Sequence, residues 1–159
     1  MNHRDNDLSD MDDRFLAYLY CFCVLRDYFL CHEYGESLWL STGRNTVLKG
    51  FIQGAVCLYH LEKGNVRGAR RMWTRARKYL LDYVAQSGTL YSGISIPDFV
   101  AQIEQVFTKV PPEWFGQRVE RDDVHALRLP KPTLSLSPGI RARFAEFTLP
   151  PLHDDEAQP

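Results

Sequence analysis

Residues 46–63, TVLKGFIQGAVCLYHLEK, are apolar on nearly every side of a helix, and Gly64–Asn65 follows them directly. A helix with that pattern is stable only where other elements cover it, so it predicts a central helix. Gly64 ends it and Asn65 caps the next helix at once. The chain must therefore reverse within two residues. In the helix predicted from Val66 to about Val84, the residues Ala69, Met72, Trp73, Ala76, Leu80 and Tyr83 recur at three and four residues. They share one face, which packs back on residues 46–63. This tight helical hairpin is the frame into which the rest of the chain must fit.

The flanking punctuation extends the frame. Ser9 with Asp12 reads as a capping box that opens a helix running to about Leu25. Arg26-Asp27 interrupts the pattern, and a second helix follows over about 28–40. Gly43 supplies a left-handed stop and Asn45 caps the central helix. "QSGTLYSG" reads as a loop. Ser95 with Asp98 forms a second capping box, Pro97 suits a first turn, and a helix runs from there to about Lys109, stopped by Pro111-Pro112. The expected fold is all-α: about five helices in two antiparallel hairpins plus a closing helix. Residues 1–8 form a flexible N-terminus, 9–110 the helical domain, and 111–159 an extended proline-rich tail in which only "PGIRARFAEF" suits a short helix. Burying an aromatic side chain is worth about 1.5–3 kcal/mol. Trp114, Phe115, Phe144 and Phe147 therefore predict a tail that packs on the helical domain or on a second subunit and frays after Leu152. A weak internal repeat lays the first helix pair over the second at a shift of 38 residues, so that Ala17 meets Ala55 and Cys31 meets Ala69.

A net charge of −1 points to neither nucleic acid nor an anionic membrane as partner. The longest strongly apolar stretch, 15–25, is too short to span a bilayer and lacks the features of a signal peptide, so the expected location is cytoplasmic. Arg67, Arg70, Arg71, Arg75, Arg77 and Lys78 line one helix, a pattern that RNA would use but that a solvated face explains more simply. Cys21, Cys23, Cys31 and Cys57 form no Cys-x-x-Cys pair and sit in apolar pattern, as core cysteines do; a zinc site or a disulfide is the alternative. His3, His125 and His153 lack ligand spacing and read as surface residues.

The chemistry-bearing residues lie in two stripes. His32, Glu36 and Trp39 are four and then three residues apart on the second helix. Lys49, Gln53 and His60 are the polar exceptions on the central helix, again on one side. Adjacent stripes on mostly buried helices should face each other. Three readings compete. In the first, Glu36 accepts from a histidine or from Lys49, and Gln53 completes a buried network that fixes helix packing. In the second, His32, Glu36 and His60 hold a divalent metal such as zinc. In the third, the stripes line a pocket for acid–base chemistry or for a small polar ligand. Glu33 lies about 100 degrees around the helix from His32, which sets it outside the group.

The pattern His32-x3-Glu36-x2-Trp39, followed by Gly50-x2-Gln53 and by "LYHLEKGNVRGA" with His60, Gly64, Asn65 and Ala69, resembles the bacterial and archaeal family called domain of unknown function 309, over about residues 13–107. The later Gly93-Ile94 fits too; Lys49 and Ser95 depart from the pattern, where glutamine and aspartate are expected. The resemblance implies an all-helical fold and no established activity, and its first motif has been considered as a metal site. The Gly64, Ala69, Trp73, Ala76 spacing is also similar to a tetratricopeptide hairpin, in geometry only. The expected function is that of a small intracellular binding or interaction module with a polar His/Glu site between helices, whose partner is itself in a homodimer or another protein. The alternative is a metal-dependent hydrolase or related enzyme using His32, Glu36 and His60.

Overall fold

The computed structural model describes residues 11–152. Its first helix, α1 (Asp13–Tyr20), is capped by Asp12, whose carboxylate accepts from the Arg14 amide; Ser9 of the expected capping box lies outside the described residues. The expected single helix to Leu25 is two pieces. The chain widens into a π-turn at Cys21–Leu25 and stops at Arg26, which takes the left-handed conformation at φ 57°. Asp27 then caps α2 (Tyr28–Ser41) through the Leu30 amide. Asn45 caps α3 (Thr46–Glu62), and Asn65 caps α4 (Val66–Ser87) immediately after Gly64. All three are local side chain to backbone bonds, the kind a sequence can reveal; Asn45 and Asn65 are expected as caps, whereas Asp27 is expected only to interrupt the pattern.

The helices stack in chain order: α1 on α2, α2 on α3, α3 on α4. This is one continuous array around α3 rather than two hairpins and a closing helix. Gly35 sets the closest approach. A Cβ there would lie 2.6 Å from Cγ1 of Ile52, so only glycine lets α2 settle this near α3. The core is aromatic. Phe15, Tyr18, Phe22, Phe51 and Phe99 are fully buried, with Phe51 and Phe99 centroids 4.8 Å apart. The one polar tip among them, the Tyr18 hydroxyl, donates to the Phe51 carbonyl.

"QSGTLYSG" is not loop throughout. Leu90–Tyr91 (β1) pairs antiparallel with Ile94–Ser95 (β2), Tyr91 opposite Ile94. Ser92 and Gly93 both have positive φ, the two-residue turn that matches strand twist. Ser95 caps α5 (Ile96–Phe107) through the Asp98 amide. The Asp98 carboxylate does not complete a capping box; it accepts from the Ser135 amide of the tail at 2.9 Å.

Beyond α5 the chain is less extended than expected. A 3-10 turn (Pro112–Trp114) precedes α6 (Arg121–Leu127), and α7 (Pro138–Ala145) fills the "PGIRARFAEF" segment. Seven α-helices are thus present among the described residues, not about five. α6 buries only Val124, so it carries no apolar period to read; Asp122 and Asp123 in its first turn favour it through the helix dipole. The tail lies on the helices throughout. Phe144 and Phe147 each sit 5.4 Å from Tyr20, the Tyr34 hydroxyl donates to Pro150, and Arg26 donates to the Pro132 carbonyl. Among the described residues no helix is long and apolar enough to cross a membrane.

Candidate functional site

The hairpin register decides which polar residues meet. Phe29 packs against Tyr59 with tilted rings and Gly35 packs on Ile52, so residues of α2 on the shared face meet residues of α3 whose number completes a sum near 87 or 88. His32, Glu36 and Trp39 of α2 and Lys49 and Gln53 of α3 accordingly line one pocket of about 200 Å³, walled by Ile52, Val56 and Met72. His60 is absent from it. It sits about one helical turn lower, beside Tyr59, where burial and then the Arg118 guanidinium hold its pKa below the usual histidine value.

At the rim, His32 Nε2 lies 2.8 Å from Glu36 Oε1 and His32 Nδ1 lies 3.1 Å from Glu33 Oε2. Glu33 therefore joins the group, contrary to the angular argument: its flexible stem curls back to its neighbour. A neutral imidazole can donate to only one of the two carboxylates; the protonated ring donates to both. Glu36 is 44% exposed, and no polar or charged residue is buried among the described residues. The site is an open groove and not the buried network of the first reading. Exposed pairs of this kind are worth about 0–1 kcal/mol.

Deeper in the groove the polar atoms are unsatisfied. Trp39 Nε1 and Gln53 Oε1 are both buried and have no hydrogen-bond partner. Leaving such a group unpaired costs about 1–3 kcal/mol. The Trp39 ring is also flanked by cations, with Lys49 Nζ 5.4 Å and Arg44 Cζ 5.0 Å from its centroid. Arg44 reaches it from a left-handed backbone position, φ 62°. The groove is thus lined by two residues that each keep one buried, unpaired polar atom, and by Lys49, against an apolar wall.

The metal triad does not assemble. Among the described residues no group of three or more His, Cys, Asp or Glu side chains is arranged to hold a metal ion. All four cysteines are free; Cys21, Cys31 and Cys57 are buried, and burial pushes the Cys21 thiol up to about 12 and that of Cys23 to about 11, as in inert core cysteines. On α4, Arg77 pairs with Glu104, Lys78 with Asp82, and Arg70 lies over the Phe115 ring at 3.9 Å, so half of the basic row is already engaged.

The array and its groove define a small helical domain with a side-opening polar pocket between its second, third and fourth helices. Residues 15–72 match the model of the family described as Domain of unknown function (DUF309), which bears out the resemblance carried by His32, Glu36, Trp39, Gly64 and Asn65, over a shorter span than the sequence suggested. The chain is also similar to the "Uncharacterized protein YpuF" of Bacillus subtilis (strain 168), 39% identical over 69 residues. That match covers 42% of this chain and 40% of the relative. No solved structure matches the chain. Neither the family's description nor the relative's name assigns an activity. All six candidate site residues fall inside the matched segment, whereas α5 and the tail fall outside it.

Proposed function

We propose that this chain is a cytoplasmic binding module whose α2–α3–α4 groove takes a small polar ligand bearing a carboxylate beside an amide. The carrying observation is the pair of buried, unpartnered atoms, Trp39 Nε1 and Gln53 Oε1, on two residues that line one pocket. A ligand carboxylate would accept from the indole N–H and from Lys49, and its amide would meet Gln53. Rotating the Gln53 amide half a turn exchanges its donor and acceptor, so either orientation of the ligand finds a match. His32, beside Glu33 and Glu36, forms a polar rim. Four free cysteines suit a reducing compartment, which supports the cytoplasmic location.

Succinamate carries both groups and tests the reading directly. Of the indole N–H signals in a proton–nitrogen correlation spectrum, that of Trp39 should move on titration, and Lys49→Met should weaken binding about tenfold. A Trp39 signal that stays in place with saturating succinamate, while the chain remains folded, would overturn the proposal.

A further inference from the structure

A second cavity, of about 360 Å³, lies where α6 and the segment after it cross the end of α3 and the side of α5. Its size falls within the range of small-molecule sites. Its floor is apolar: Leu58, Leu61 and Val106 are buried beneath it. Its rim carries Glu62, His125, Arg128 and Lys131. These opposite charges face one space, yet every ion pair among the described residues lies elsewhere, so none of the four is neutralised by contact. Glu62 is half-buried at the last position of α3, a costly place for a carboxylate with no cation in contact. Arg128 ends α6 in the left-handed conformation, φ 51°, where glycine fits without strain. What arginine adds there is its side chain, which lines the cavity.

Charges of both signs, out of contact with one another, around an apolar floor match a zwitterion with an apolar side chain. We propose that this cavity binds a free apolar amino acid, with its ammonium on Glu62, its carboxylate on Arg128 and Lys131, and its side chain on Leu58, Leu61 and Val106. A lone amine or a lone acid would leave one side of the rim unmatched. Burial raises the Glu62 carboxyl above its usual range, and the nearby Lys131, His125 and Arg121, none of them in contact with it, offset that only in part. The site is independent of the Trp39 groove.

The experiment titrates L-leucine into the full chain, followed by calorimetry and by amide correlation spectra. Saturable binding should shift the amides of Val124 and Leu129 and leave the Trp39 indole unmoved. Glu62→Gln should weaken leucine about tenfold or more, and so should Arg128→Gly, which keeps the helix cap. 4-Methylpentanoate, without the ammonium, and isopentylamine, without the carboxylate, should each bind about tenfold more weakly than leucine. The proposal fails if leucine does not bind at millimolar concentration, if Glu62→Gln binds it as the parent does, if 4-methylpentanoate matches it, or if the shifts centre on Trp39.

Discussion

The amide of Val119 donates to the carbonyl of Gly64 at 2.8 Å, and a Cβ on Gly64 would lie 2.1 Å from the Val119 carbonyl oxygen. The residue that ends α3 is therefore also the seat of the tail. A second backbone bond, from the Arg67 amide to Gln117, holds the same crossing. Gly64 serves both purposes because φ 92° and the missing side chain are needed together.

Gly64→Ala should accordingly cost on the order of 2 kcal/mol or more, from the left-handed backbone and the clash combined. Urea unfolding gives the loss, and limited proteolysis gives its location. New cleavage between Glu113 and Glu120, with α1–α4 intact, is the expected pattern. Parent-like stability and protection would show that the crossing is not tight.

Glu36→Ala should change stability by less than about 1 kcal/mol, because its pair with His32 is exposed at the groove rim. A loss of about 1–3 kcal/mol in urea would instead mark a stranded buried partner and restore the packing-network reading. Gly35→Ala, by contrast, should widen the α2–α3 contact against Ile52 and weaken succinamate binding even where the chain still folds.

The legibility of these features follows the range of the interaction that makes them. Asn45, Asn65 and Ser95 cap helices through bonds that span three residues, so their positions could be read directly; Asp27, which caps α2 in the same way, reads in the sequence only as a break in the pattern. The polar stripes were legible as angles around each helix, which brought His32, Glu36, Trp39, Lys49 and Gln53 to one groove. Height along the hairpin was not legible. It depends on Gly35 meeting Ile52 and Phe29 meeting Tyr59, and it places His60 a turn away. α6 and the cavity it roofs were hidden for a related reason. With one buried residue, Val124, its helix has no period, and His125 looks like any surface histidine until the tail is folded over Glu62.

His60 should make stability depend on pH. Its folded pKa is depressed by burial and then by Arg118, so the unfolded chain takes up the proton first. Stability is then fully present above the ordinary histidine pKa of about 6.5 and is lost as the pH falls through the lower folded value. His60→Gln should flatten that part of the curve in urea unfolding at a series of pH values. An unchanged slope would assign the effect to another group.

Glu62 should act in the opposite direction. Its folded pKa is raised by burial, and Asp27 adds to the shift, while Lys131, His125 and Arg121 oppose it. The folded chain thus holds the Glu62 proton more tightly than the unfolded one. Its contribution is fully present below the ordinary glutamate pKa and is lost as the pH rises through the raised folded value. At neutral pH the charged carboxylate therefore costs stability, and Glu62→Gln should raise the melting temperature. The gain should vanish near about pH 4, where the parent is protonated as well. If the same substitution also abolishes leucine binding, stability and binding oppose each other at one residue, as expected where a charge is kept for a ligand. A neutral-pH melting temperature that falls on Glu62→Gln would show that the surrounding cations outweigh burial and already neutralise the carboxylate.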